Sequence, residues 1–229
     1  MTQPLKIISS MATRQVLSDL IGLYGQSSAQ PIALESVGGV DAAKRVQAGE
    51  AVDVVILASN AIDQLVKDGK LVAGSRADLV RSGVAIAVRA GAVRPAIATE
   101  EDVKRAVQSA ASISYSTGPS GMALAKLFER WGIADEIKAR IVTPPPGIPV
   151  ASLLADGKVA LGFQQLSEML GVAGIDVLGP LPPAIQIITT FSAGVSATGT
   201  QAEAVKALLD FMVSPAATEA KVKNGMEPA

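Results

Sequence analysis

SISYSTGPSGMALAKLFERW, residues 112–131, is the stretch from which the rest of the chain can be read. It opens with a short run of small and β-favouring residues, 112–115, that reads as a strand. A turn follows over residues 116–121, and then an amphipathic helix carries Leu124, Leu127, Phe128 and Trp131 on one face. A strand, a glycine-containing turn and a helix start aim unpaired backbone N–H groups and the positive end of the helix dipole at one spot. A small anion fits such a place, and the hydroxyls of Ser116, Thr117 and Ser120 stand beside it. Taken alone, the stretch also fits an ordinary strand-to-helix connection with a serine cap. Its weight comes from repetition elsewhere in the chain.

Towards the N-terminus, residues 5–9 read as a strand and a helix runs from Ser10 to about Tyr24, with Val16, Leu17, Leu20 and Tyr24 as its apolar face. Residues 31–36 form a second strand, and a helix over 40–48 is closed by Gly49. VDVVILA, residues 52–58, is a strand buried on both faces, and Asn60 caps a helix that reaches about Asp68. This β-α-β-α-β-α order predicts right-handed crossovers and a parallel sheet.

The pattern changes at Arg81-Ser82-Gly83. Beyond it come a strand at 84–88, a helix opened by Thr99 with acidic residues in its first turn, and the 112–131 unit. A short helix at 133–139 and a short strand at 141–143 lead into the stiff run 144–147, PPPG. A helix starting near Pro149 stops at Gly157; strands follow at 161–165 and 175–178, then a long strand at 186–196. Helices over 201–213 and 216–224 finish the chain. Two lobes are expected, 1–81 with 190–229 and 82–189, joined by crossings near 81–82 and 183–189.

Composition narrows the chemistry. Of 229 residues, 49% are apolar but only 3% aromatic, so the cores are built from Ala, Val, Leu and Ile, which suits an α/β protein. With 20 basic and 21 acidic residues the net charge is −1, which leaves no electrostatic footprint for nucleic acid or an anionic membrane. The absence of Cys removes disulfides and thiolate chemistry, and the absence of His removes the commonest general base and metal ligand. No cofactor and no metal are expected. No segment reaches the roughly 18 apolar residues of a membrane span. The N-terminal residues lack the basic start and apolar centre of a secretory signal. The location expected is therefore periplasmic if a leader has been removed and cytoplasmic otherwise.

Four junctions join a strand end to a helix start through small or polar residues: Ser9-Ser10, Gly38-Gly39, Pro119-Ser120-Gly121 and Gly147-Ile148-Pro149. In open α/β sheets ligands bind at the carboxyl ends of strands. Two junctions per lobe predict an anion-binding cleft between the lobes, held by N–H groups and hydroxyls rather than countercharges. The phosphate-loop and dinucleotide-binding motifs are absent, as is the G-x-S-x-G nucleophile elbow. Carboxylates near turns are Glu35, which could act as a base, Asp41, which suits a helix first turn, and Glu168. Arg14 lies one turn into the first helix.

These residues together resemble the molybdate-binding proteins of ABC importers, within the type II periplasmic-binding-protein fold, over essentially the whole chain. Ser10, followed by Met-Ala-Thr, is similar to that family's first ligand serine, and residues 41–58 to its most recognisable stretch. Gly39 stands where the family has a second ligand serine, Ser120 and Gly147 where it uses backbone N–H groups, and Gln165 where it has a ligand tyrosine. Y-S-x-G-P-S-G, G-F-Q-Q-L-S-E and G-P-L-P resemble a divergent branch that includes aconitate isomerases, enzymes that need no cofactor. The resemblance implies a two-lobed fold, each lobe a mixed or parallel sheet flanked by helices, with Ser9, Ser10, Gly38, Gly39, Tyr115, Ser120, Gly147 and Gln165 around the ligand. The expected function is binding of a small organic carboxylate or oxyanion as a monomeric solute-binding component serving an ABC permease. The alternative is an aconitate-type isomerase using the same cleft, with Glu35 or Tyr115 as candidate bases. An effector-sensing domain of a regulator is a third class, disfavoured by the lack of a DNA-binding helix pair.

Overall fold

The computed structural model describes residues 3–145 and 147–229. The chain divides into two compact units, one comprising the residues up to Ser82 with Thr190–Ala229, the other Gly83–Thr189. The first elements are β1 (Leu5–Ser10), α1 (Arg14–Tyr24), β2 (Ile32–Val37), α2 (Gly39–Gln47), β3 (Val54–Ala58), α3 (Ser59–Lys67) and β4 (Ala77–Arg89). Next come α4 (Glu100–Ser109), β5 (Ile113–Tyr115), α5 (Pro119–Arg130), α6 (Ala134–Ile137), α7 (Val150–Ala155), β6 (Leu161–Gln165), α8 (Leu166–Met169) and β7 (Ile175–Pro180). The chain ends with β8 (Ile188–Val195), α9 (Ala202–Val213), α10 (Thr218–Lys223) and β9 (Glu227–Pro228).

In the first unit β1 lies between β2 and β3, parallel to both, as the β-α-β-α-β-α order predicts. β8 adds antiparallel to β3, so the sheet is mixed. Side chains alternate across it: Leu5, Ile7, Val54 and Ile56 pack beneath α1, α9 and α10, while Ile8, Val55 and Leu57 pack beneath α2 and α3. That two-sided burial explains why β3 is an unbroken apolar run, buried at all five positions.

The second unit is built the same way with different partners. β6 and β7 flank β4 antiparallel to it, and β5 joins β6 in parallel. Val84, Ile86, Phe163 and Leu161 face α4, α5 and α6; Ala85 and Ala87 face α7. Gly162 makes that second face possible, since a Cβ there would come within 2.6 Å of Leu154 and 2.7 Å of Val150.

Several boundaries differ from the sequence reading. β4 extends from 77 to 89 rather than 84 to 88: it runs straight through Arg81-Ser82-Gly83, whose alternating exposure is strand-like. Asn60 is not a cap; α3 starts at Ser59 and no side chain caps it. Residues 141–143 form only an isolated bridge, Ile141 to Ile113, the first residue of β5. The stiff run 144–147 includes Pro146, which lies outside the described residues.

Candidate functional site

In the first unit the carboxyl ends of β1 and β2 are adjacent, Ser9 opposite Ser36 and Ser10 opposite Val37. Ser9 is fully buried, and its hydroxyl meets that of Ser36 at 2.7 Å. Ser10 caps the short 3-10 turn Met11–Thr13, accepting from the Ala12 N–H at 3.3 Å. Gly38 is the N-cap of α2 and provides no side-chain cap. A Cβ at Gly39 would sit 3.5 Å from Ser10 Oγ, so the start of α2 and the Ser10 hydroxyl converge. The first-turn N–H groups of this nine-residue helix have no partners within the helix. Arg14, the first residue of α1, is exposed.

In the second unit the corresponding end is formed by β5 and β6, with Tyr115 opposite Phe163. Gly121 is indispensable to the turn after β5, because a Cβ there would lie 1.5 Å from the Ser116 carbonyl oxygen. This closure places the hydroxyls of Ser116 and Ser120 3.0 Å apart at the start of α5, where Gly118 is the N-cap and Pro119 occupies the first turn. Tyr115 is half-buried, its ring edge-on to Phe128 with centroids 5.8 Å apart, and burial pushes its hydroxyl's pKa up. At neutral pH it therefore stays a hydrogen-bond donor rather than a base. The chain after the Ile113–Ile141 bridge carries Gly147, exposed with φ +75°, into α7.

Gln165 ends β6 almost fully buried. Its Nε2 donates to Thr189 Oγ1 at 2.8 Å, and its Oε1 has no partner among the described residues. An unpaired buried amide atom is costly. Turning the amide by half a rotation lets Thr189 donate to the oxygen and frees an N–H, the orientation that a carboxylate ligand would select. The preceding side chain, Gln164, points to the opposite face. It accepts from the Ala151 N–H at 3.1 Å and donates to Glu168 Oε1 at 2.9 Å, bringing the carboxyl of Glu168 to the start of α7. Burial pushes the Glu168 carboxyl up to about 7, and the Gln164 hydrogen bond offsets part of the rise.

Glu35, an expected base, is engaged otherwise. Arg45 donates to both its oxygens at 2.6 and 2.8 Å, and these bonds hold its carboxyl below the usual range. An exposed, paired carboxylate is a poor proton acceptor at neutral pH, which disfavours Glu35 of the two candidate bases. Thus the structure gathers Ser9, Ser10, Gly38 and Gly39 at the carboxyl ends of β1 and β2 in the first unit. In the second it gathers Tyr115, Ser120 and Gln165 at the ends of β5 and β6, with Gly147 on the segment that enters α7. Sequence reasoning missed Ser36 and Thr189, which lie 27 and 24 residues from their partners. It left Glu168 without a role, although its position three residues after Gln165 in an otherwise uncharged segment was visible. Among the described residues no group of three or more His, Cys, Asp or Glu could hold a metal ion. Nor is any helix long and apolar enough to cross a membrane.

Solved structures share this architecture. The periplasmic molybdate-binding protein of Azotobacter vinelandii matches with a TM-score of 0.81 at 19% identity, covering 98% of this chain and 99% of that one. A sulfate-binding protein of Mycobacterium tuberculosis matches with a TM-score of 0.77 at 16% identity, covering 100% of this chain and 88% of that one. The fold is thus that of periplasmic binding proteins. The chain belongs to the bacterial extracellular solute-binding protein family, whose sequence model matches residues 5–227. Among characterised relatives, an aconitate isomerase from Pseudomonas sp. is 37% identical over 187 residues, 80% of this chain and 70% of that enzyme.

Proposed function

We propose that this protein captures a small organic carboxylate, of the di- or tricarboxylate class, as the solute-binding component of an importer outside the cytoplasmic membrane. The observation that carries the choice of ligand class is the donor set. In each unit the strand-end segments, 9–10 and 36–39 in the first and 115–121 and 164–168 in the second, offer hydroxyls, amides and backbone N–H groups and, in Glu168, one carboxyl, but no Lys or Arg. An amide is both donor and acceptor, which suits a ligand with several differently oriented polar groups better than a compact tetrahedral oxyanion. Gln165, with one amide atom unpaired in a buried place, supports the same reading. Family membership supports the transport role, and a structural neighbour named as the substrate-binding domain of a molybdenum ABC transporter suggests an ABC permease as the partner class. A thermal-shift panel of molybdate, tungstate, sulfate and di- and tricarboxylates tests it: the carboxylates are expected to raise the melting temperature, and a response to molybdate alone would refute the assignment.

A second reading is favoured by one observation, the 37% identity to an aconitate isomerase over four-fifths of the chain. In it the captured ligand is aconitate or a close analogue, and binding is followed by cis–trans interconversion without a cofactor. The two readings use the same donors and differ in whether a carbon-bound hydrogen is exchanged.

A further inference from the structure

We propose that Glu168 is the group that moves the proton during isomerisation; this rests on the second reading above. Three features of its setting support the role. Its carboxyl is oriented rather than free, since Gln164 holds Oε1 while being held itself by the Ala151 N–H. The other oxygen, Oε2, makes no hydrogen bond among the described residues and is left to exchange a proton. Finally, Glu168 lies in α8, which follows β6 without a break, on the Gln164 side of the strand, with its carboxyl brought to the start of α7.

The electrostatic surroundings fit a base that works near neutrality. β6, α7 and the rest of α8 contain no ionisable side chain, so the proton affinity of Glu168 is set by burial and by Gln164. Burial raises it to about 7, where a carboxyl is half ionised at neutral pH and able both to take up and to return a proton. Glu35, held ionised by Arg45, lacks that property.

The step balances with no added reactant. Ionised Glu168 takes a proton from the methylene carbon of the tricarboxylate, breaking that C–H bond. The electron pair spreads over the three-carbon unit and its carboxylates. The Glu168 carboxylic acid then returns the proton to the other terminal carbon, where a new C–H bond forms, and the double bond shifts by one position. Nothing is oxidised or reduced. Backbone N–H groups and hydroxyls aimed at the carboxylates stabilise the charge that develops, as an oxyanion hole does.

The full-length chain is mixed with trans-aconitate in deuterated buffer across about pH 5.5–8.5, and the isomers and deuterium content are followed by NMR. For the wild type, kcat/KM is expected to rise with pH through an inflection near the Glu168 value of about 7. Glu168→Gln should lower turnover and deuterium uptake by about 10²–10⁴-fold while calorimetry shows trans-aconitate still bound, and Glu168→Asp should keep part of the rate. An active wild type whose Glu168→Gln variant stays within a few-fold of it, with the same pH limb, overturns the role of Glu168 and leaves isomerisation standing. A wild type that binds trans-aconitate but forms no cis isomer and takes up no deuterium removes both. Should Glu168→Gln fail to fold, the wild-type profile decides: a rate that does not change between about pH 6 and 8 overturns the proposal.

Discussion

Two glutamates, one in each unit, show what burial does to the same side chain. Glu35 lies on β2, exposed, gripped by the Arg45 fork, and its carboxyl is held below the usual range. Glu168 is the third residue of α8, in a segment with no countercharge, and its carboxyl is pushed up to about 7. The first is a surface ion pair, of a kind that contributes little to stability. The second weakens the fold at neutral pH, and a place that keeps such a group is a candidate for function. The junctions beside them differ too. The turn after β5 closes on Gly121 with no space for a Cβ, while Gly39 at the start of α2 has ordinary clearance from Ser10.

The largest expected effect tests that last difference. Gly121→Ala forces a methyl group onto the Ser116 carbonyl and should cost about 3 kcal/mol or more in urea unfolding, at the upper end of overpacking penalties. Gly39→Ala should cost less than about 1 kcal/mol, since Gly-to-Ala changes in helices with clearance are neutral or favourable. Equal costs would break the contrast between the two junctions.

Next comes the pH dependence of stability. The folded state holds Glu168 protonated up to about 7 against 4.5 unfolded, so its favourable share is fully present below pH 4.5 and is lost as pH rises to about 7. Glu168→Gln, which mimics the protonated form, should therefore gain up to about 3 kcal/mol relative to wild type at pH 8, and almost nothing at pH 4. Glu35 carries the opposite sign: its ion pair with Arg45 favours the fold above the unfolded carboxyl pKa and loses that share in acid. Glu35→Gln should show no alkaline gain. Chemical denaturation at the two pH values reads both.

Ligand hydroxyls come third. Ser120→Ala and Ser10→Ala each remove a hydroxyl expected to bond a charged ligand, and each should weaken binding about 10–150-fold, taking about 1.5–3 kcal/mol per bond. A loss in only one of the two would assign recognition to that unit. The smallest effect belongs to Thr189→Val, which removes the support of Gln165 and should weaken binding about tenfold or less, one neutral hydrogen bond's worth.

Local signals made much of the fold legible. The apolar run ending β3, the LGFQQ strand and the apolar face of α5 all stand where periodicity puts them, because each is fixed by burial of its own side chains. What escaped was set by distant partners. The polar triplet Arg81-Ser82-Gly83 reads as a break, yet it continues as strand. β9 pairs with Val80 and Arg81 from the far end of the chain, and nothing in its two residues announces a strand. The site behaved likewise. Its strand-end glycines and serines could be read from spacing, whereas Glu35's engagement by Arg45 and the Gln164 link that orients Glu168 depend on which side chains folding brings together.

The measurement closest to the central claim is titration calorimetry of the wild-type chain at neutral pH with trans-aconitate and, separately, with molybdate. Saturable binding of the tricarboxylate, weakened by Ser120→Ala, with no heat from molybdate, is the expected result. Tight binding of molybdate with no response to the carboxylate would contradict it.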